Sequence, residues 1–255
     1  MQRYFIEQSI QEVTAAPAFS IKGEDVHHIA TVMRMSPGDE VICCAKDGHE
    51  AKCRIESVTK EEVLLSVIEW TGETRELPVQ IHIANGLPKG DKLEWIIQKG
   101  TELGASSFIP FQASRSVVKL DEKKAKKKRE RWAKIAKEAA EQSHRNAIPD
   151  VAPVHTFQRL LESLEDFDKC VVAYEESSKQ GETSRFQSVL KSLPEGSSVL
   201  MVFGPEGGFS EDEIEALKEK GALACGLGPR ILRAETAPLY ALAAVSYHTE
   251  LLRGE

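Results

Sequence analysis

No apolar run in the 255-residue chain approaches the roughly 18–20 residues of a membrane-crossing helix, so no helical anchor is expected. The opening, Met1-Gln2-Arg3-Tyr4-Phe5, has no basic stretch followed by an apolar one, so no secretory signal is expected. Cysteine is scarce. Cys43, Cys44, Cys53, Cys170 and Cys225 show no C-x-x-C spacing, which argues for buried thiols in a reducing compartment rather than a zinc or disulfide framework. The expected location is the cytoplasm. His27, His28, His144 and His155, like Glu94, Glu102, Glu138 and Glu141, follow no metal-ligand pattern, and no metal is expected. His27-His28 precedes an apolar helical pattern and reads as locally structural, and Trp95 and Trp132 read as core residues of their helices. Lysine is absent from residues 192–217, the stretch richest in glycine loops.

What is present describes an ordinary globular protein, with 41% hydrophobic and 29% charged residues. The net charge of −7 is unevenly spread. Residues 119–137 hold ten Lys/Arg against three Asp/Glu, a local +7 that leaves −14 on the remainder. A one-signed run on an acidic protein points to a phosphate-rich partner held by salt-sensitive contacts.

Residues 1–72 read as mostly β, with strand-like runs at 5–6, 41–44, 51–55 and 63–67, one helix over 23–35, and turn signals at Ser36-Pro37-Gly38-Asp39 and Lys46-Asp47-Gly48-His49. Short strands joined by tight turns predict a small barrel. The polar stretch 71–78 is the expected boundary, giving domains 1–72 and 73–255. Beyond it, strands at 79–84, 107–111, 170–174, 199–203 and 222–225 alternate with helices at 91–103, 184–192, 211–220 and 235–252. Between the second and third strands lies the basic helix, with a stripe of Trp132, Ile135, Ala136, Ala139, Ala140 and Ser143. This grammar predicts an α/β domain with a parallel sheet covered on both faces.

Two glycine loops, Gly204-Pro205-Glu206-Gly207-Gly208-Phe209-Ser210 and Gly226-Leu227-Gly228-Pro229, each follow a predicted strand, the end at which open parallel sheets bind ligands. Ser210 with Glu213 forms a capping box for the next helix. A phosphate cradle does not fit, because no Gly-Lys-Ser/Thr ending follows and Glu206, Glu211, Asp212 and Glu213 would repel an anion. Nor is the spacing G-x-G-x-x-G. The loop suits a ligand that is neutral or cationic where it touches the protein, and its glycines are expected to yield space to that ligand.

These loops, with Leu227-Gly228-Pro229-Arg230-Ile231-Leu232-Arg233-Ala234-Glu235-Thr236-Ala237, resemble the bacterial 16S ribosomal RNA uridine-N3 methyltransferase family, one of the knotted SPOUT methyltransferases. His27-His28-Ile29, Arg34-Met35 and Pro37-Gly38-Asp39 resemble that family's N-terminal PUA-like RNA-binding barrel, and Lys99-Gly100-Thr101-Glu102-Leu103-Gly104 and Glu138-Ala139-Ala140-Glu141-Gln142-Ser143 its internal motifs. The resemblance implies a PUA-like β-barrel before a parallel-sheet SPOUT domain with a C-terminal trefoil knot, S-adenosylmethionine as methyl donor, a homodimer, and 16S rRNA or the small ribosomal subunit as partner. A sulfonium cation also suits an acidic glycine loop. The expected donor site comprises Phe203, Gly204, Pro205, Gly207, Gly208, Leu227, Gly228, Ile231 and Leu232.

Methylating uracil N3 needs the imide proton removed and charge on the uracil oxygens stabilised. Arg230 or Arg233 is expected in the second role and Glu206 or Glu235 as base, the rival reading of Glu235 being a carboxylate favoured by a helix N-terminus. RNA contacts are expected from Arg3 and Arg34 in the barrel and from Lys123, Lys124, Lys126, Lys127, Lys128 and Arg129 in the basic run. Two other readings stay open: methyl transfer to a ribose 2′-hydroxyl or another base atom, and a non-catalytic ribosome-binding factor.

Overall fold

The computed structural model describes residues 1–16, 18–72, 74–174 and 183–252. They form two compact units, Met1–Glu76 with Ala140–Ile148, and Leu77–Ala139 with Pro149–Glu255. Glu73, at the expected boundary, lies outside the described residues.

In the first unit, β1 (Arg3–Phe5), β2 (Phe19–Lys22), β3 (Glu40–Cys44), β4 (Glu50–Val58) and β5 (Glu62–Trp70) make one sheet in the order β1-β3-β4-β5-β2. Only β1 and β3 run parallel. The expected small barrel is a half-barrel with edges β1 and β2. Gly48 (φ 82°) makes the turn between β3 and β4. Along β4, Ala51, Cys53 and Ile55 face the core while Lys52, Arg54 and Glu56 do not, the period of two that a sheet with one buried face requires. The helix expected over 23–35 is a single α-turn, Glu24–His27, continued by a π-helical turn, His28–Val32, and ended by Arg34 at φ 53°. His28 has the expected structural part, its Nδ1 3.0 Å from the Tyr4 hydroxyl.

Residues 140–148 belong to this unit through buried polar contacts. Arg3 is 4% exposed, pairs with Glu50, and donates to the Arg145 carbonyl at 2.9 Å. Arg145 pairs with Glu76, whose carboxylate also accepts from the Asn146 amide at 2.9 Å, and Arg75 reaches Glu50 at 3.0 Å. A buried ion pair is costly to break because the survivor is left without its counter-charge.

The second unit is built on a fully parallel sheet of β6 (Gln80–Gly86), β7 (Ser107–Gln112), β8 (Asp150–Val151), β9 (His155–Thr156), β10 (Lys169–Ala173), β11 (Ser198–Phe203) and β12 (Leu223–Cys225). The order is β12-β10-β11-β6-β7-β8, with β9 also on β7. Along β11, Val199, Met201 and Phe203 join one core and Leu200 and Val202 the other. The described helices are α1 (Ile10–Thr14) and α2 (Glu24–His27) in the first unit, then α3 (Lys92–Glu102), α4 (Glu122–Gln142), α5 (Phe157–Ser163), α6 (Thr183–Lys191), α7 (Glu211–Glu219) and α8 (Thr236–Ser246). Leu93 and Ile96 of α3, Trp132 and Ala136 of α4 and Leu242 and Val245 of α8 cover one face; Leu160 of α5 and Ile214 and Leu217 of α7 cover the other. Trp132 is core as expected, whereas Trp95 is 52% exposed.

Candidate active site

The carboxyl ends of β10, β11 and β12 open onto a crevice of about 970 Å³ within the second unit. Ala173 ends β10 and Tyr174 follows it, Phe203 ends β11 and residues 204–209 follow it, and residues 227–234 follow β12. The crevice lies where the rule for parallel sheets places ligands. Every expected donor-site residue lines it: Phe203, Gly204, Pro205, Gly207 and Gly208 on one loop, Leu227, Gly228, Ile231 and Leu232 on the other. Arg230, Arg233 and Glu206 line it too, and Glu235 reaches it through Lys92.

The glycines of the first loop do not all serve the purpose expected of them. A Cβ on Gly204 would lie 3.2 Å from Gly208 and from the Phe209 ring, and one on Gly207 would lie 3.0 Å from Arg115 Cβ. Gly86, at the end of β6, would meet Pro205 Cδ at 2.5 Å. These three glycines let the loop fold onto itself and its neighbours rather than leaving space for a ligand. Gly208 (φ 66°) and Gly228 (φ 104°) instead supply left-handed backbone, and no neighbouring atom lies within 4 Å of a Cβ built on Gly208. Behind the loop, the Ser210–Glu213 capping box forms as expected. Glu213 is buried and also accepts from the Ser114 amide at 2.7 Å and its hydroxyl at 2.9 Å, tying the loop to the turn after β7. The Phe111 and Phe209 rings stack nearly parallel beside this junction.

The charge at the crevice differs from the expected bare acidity. Lys92, the first residue of α3, sends its Nζ to within 2.9 Å of Glu206 and 3.2 Å of Glu235. The second contact is an ion pair without hydrogen-bond alignment, since Glu235 Oε2 is buried and accepts no hydrogen bond among the described residues. The Lys89 amide donates to Glu206 at 3.1 Å. Partial burial raises the Glu206 pKa, but Lys92 and the backbone amides outweigh it and hold the carboxyl below the usual range. The paired carboxylates of Glu206 and Glu235 push the Lys92 ammonium above its ordinary value. A carboxylate so stabilised is a poor proton acceptor, which counts against Glu206 as a base. Glu235 stands at the N-cap of α8 but makes no cap hydrogen bond, so its carboxylate is turned to Lys92 rather than to the helix amides. Arg230 and Arg233 are exposed and pair with no carboxylate among the described residues. Arg115 donates to the Gly207 carbonyl at 3.2 Å.

The expected RNA contacts separate. Arg3 is corrected: its buried guanidinium is committed to Glu50 and the Arg145 carbonyl and cannot reach a phosphate. Arg34 is exposed. On α4, Lys123, Lys126 and Lys127 are exposed, while Lys124 pairs with Asp121, Lys128 with Glu94, and Arg129 with Asp150 and the Val151 carbonyl.

Sequence reading missed Lys92, Lys89 and Arg115. Each lies in or just after a loop at the carboxyl end of β6 or β7, so the rule that singled out the glycine loops would have found them had it been applied to every strand. All five cysteines are free and buried. Among the described residues there is no cluster of three potential metal ligands, and no helix is long and apolar enough to cross a membrane.

A family model described as an RNA methyltransferase domain matches residues 75–246, and one described as an RNA methyltransferase PUA domain matches residues 21–68. Ribosomal RNA small subunit methyltransferase E of Bacillus subtilis (strain 168) is 69% identical over 255 residues, covering 100% of both chains. A crystal structure of ribosomal RNA small subunit methyltransferase E from Neisseria gonorrhoeae, bound to S-adenosyl methionine, is similar at TM-score 0.81 and 27% identity, over 96% of this chain and 97% of that one. A Legionella pneumophila methyltransferase solved with bound cofactor SAM gives 0.80 and 29%, over 96% of each chain. With a family model over two thirds of its length and a 69% identical relative matched end to end, this chain belongs to the RNA methyltransferase family.

Proposed function

We propose that this protein methylates N3 of a uridine in 16S ribosomal RNA, with S-adenosylmethionine as donor and the small ribosomal subunit as substrate. The observation that carries the reading is the single crevice formed by both glycine loops in a chain 69% identical to a small-subunit rRNA methyltransferase. The donor fits this crevice. Its volume of about 970 Å³ lies within the range of ligand sites, Phe203, Leu227 and Leu232 offer apolar wall, and Gly208 and Gly228 bend the backbone around it. S-adenosylmethionine, when bound, supplies an electrophilic methyl group on a sulfonium. Arg230 and Arg233, exposed at the mouth, donate to the uracil oxygens as negative charge develops after loss of the N3 proton. The target base is flipped out to reach them.

Arg34 and the exposed Lys123, Lys126 and Lys127 hold the RNA by its phosphates. The protein acts in the cytoplasm and as a homodimer, the dimer being supported by the exposed apolar residues Trp95 on α3, Tyr240 on α8, and Tyr247 and Leu251 on the π-helical turn Tyr247–Leu251 that continues α8. The C-terminal trefoil knot implied by the resemblance belongs to the same reading, with the loops after β11 and β12 meeting in one crevice.

The test is transfer of labelled methyl from S-adenosylmethionine to small ribosomal subunits, followed by nucleoside mass analysis and mapping. 3-Methyluridine at one position is the expected product. A 2′-O-methyl nucleoside or another methylated base would replace the uridine-N3 reading, and binding of subunits without transfer would favour a non-catalytic factor.

A further inference from the structure

Three local facts are odd separately and consistent together. Lysine at the first position of α3 sets a positive charge against the positive end of the helix dipole, where carboxylates are favoured. Asp91, at the N-cap of α3, makes no side-chain cap bond. Glu235, at the N-cap of α8, makes none either, and its buried Oε2 lies 3.2 Å from the Lys92 ammonium and accepts no hydrogen bond among the described residues. Both helix starts lack their ordinary local stabilisation, and at one point Lys92 of α3 and Glu235 of α8 meet, together with Glu206. Departures from local preference of this kind gather at functional sites.

The point at which they meet is structurally specific. Glu206 belongs to the loop after β11, Glu235 closes the segment after β12, and Lys92 follows β6. The Lys92 side chain is 31% exposed, Glu206 31% and Glu235 21%, so all three are shielded more than a surface pair, and the Lys89 amide adds a second hold on Glu206. One ammonium between two carboxylates leaves the triad with a net charge of −1 and joins the two walls of the crevice.

We infer that Lys92 is a positioning residue that braces the two loops of the donor crevice through Glu206 and Glu235, and that these two glutamates anchor the brace instead of accepting the substrate proton. The inference rests on the proposed function for the identity of the donor. The N3 proton leaves to solvent or to a group other than these two, because either glutamate could take it only by giving up its pairing with Lys92. The brace acts before chemistry. It sets the separation of residues 204–208 and 227–232, which must clasp the donor from opposite sides, and so its loss is felt in donor affinity more than in the pH dependence of turnover.

The experiment compares the intact protein with Lys92→Met, Lys92→Arg, Glu206→Gln, Glu235→Gln and the double variant Lys92→Met/Glu235→Gln. S-adenosylmethionine binding is measured by calorimetry, and kcat against pH with ribosomal subunits. Lys92→Met should weaken donor binding roughly tenfold, with the double variant no weaker, because the two changes remove the same interaction. Lys92→Arg, which keeps the charge and can reach both carboxylates, should recover most of the affinity; a general packing defect would not be rescued in this way. In Glu206→Gln and Glu235→Gln the acid limb of the kcat profile should persist. Unchanged affinity in Lys92→Met, additive losses in the double variant, or disappearance of the acid limb in either glutamine variant would overturn the inference. Failure of the unsubstituted protein to bind S-adenosylmethionine would instead overturn the functional reading, and the inference with it.

Discussion

At the scale of single residues, the chemistry of a side chain is settled by whom it meets. Arg3 and Arg230 are the same residue type, yet one is sealed against Glu50 and the other lies open at the crevice. Replacing Arg3 with Met should therefore lower stability by about 3 kcal/mol in chemical denaturation, since Glu50 would keep only Arg75 and Thr71, and should leave the salt dependence of RNA binding unchanged. A clear fall in RNA affinity at unchanged stability would restore Arg3 as a contact. The Lys92 triad also carries a pH signature. Glu206 titrates below its ordinary 4.5 in the fold, so its stabilising contribution is full above that value and is lost as pH falls through the lower, folded value. Lys92 titrates above its ordinary 10.5, so its contribution is full below that value and is lost as pH rises through the higher one. The triad should accordingly hold between the ordinary carboxylate and lysine ranges and weaken on both sides. Thermal unfolding followed across pH would show this as losses of stability present in the intact protein and reduced in Lys92→Met; identical pH profiles for the two would contradict it.

At the scale of elements, Glu213 illustrates how one carboxylate can secure two loops. Glu213→Ala would strand the Ser210 amide and the Ser114 amide and hydroxyl, and should cost about 2–4 kcal/mol by urea denaturation. α4 permits a sharper test than its lysine content alone. Replacing the exposed Lys123, Lys126 and Lys127 with Gln should reduce the log–log salt slope of RNA binding by about 0.7–0.9 for each phosphate no longer neutralised. Replacing Lys124 and Lys128 should change it less, because Asp121 and Glu94 already hold them. Equal effects from both sets would show that the intramolecular pairs open on binding.

Elements whose own residues carry a repeating pattern were legible in the sequence. The stripe through Trp132, Ala136, Ala139 and Ala140 is buried as its spacing requires. Trp95 was misread for the same reason in reverse. Leu93, Ile96, Ile97 and Gly100 form the buried stripe of α3, which leaves position 95 on the opposite face. Strands β8 and β9, two residues each, are too short to show alternation, and the seven residues of α5 barely complete two turns. The site was half legible. The glycine loops announce themselves by composition, whereas Lys92 lies 114 positions before Glu206 and 143 before Glu235, so nothing local marks it.

At the scale of the whole molecule, the division of labour expected between residues 1–72 and 73–255 does not coincide with how the chain is apportioned. Ala140–Ile148 belongs with Met1–Glu76. A protein truncated to residues 73–255 would carry Arg145 and Asn146 without Glu50, Gly48 and the Arg3 side chain around them, and should bind S-adenosylmethionine yet melt at a lower temperature than the intact chain. Differential scanning calorimetry would measure the loss; an unchanged transition would mean that residues 140–148 draw no stability from residues 1–72. The discontinuity also has a consequence in time. Domains ordinarily fold as they leave the ribosome, the N-terminal one first, at a synthesis rate of about 5–20 residues per second. The N-terminal unit here lacks part of its buried ion network until Ile148 has been made, on the order of 4–14 s after Glu76. Through that interval Arg3 has Glu50 but not the Arg145 carbonyl, and Glu76 has neither Arg145 nor Asn146, so a nascent chain halted at residue 76 should be cut readily by protease, and one halted far enough past residue 148 to free it from the ribosome should resist.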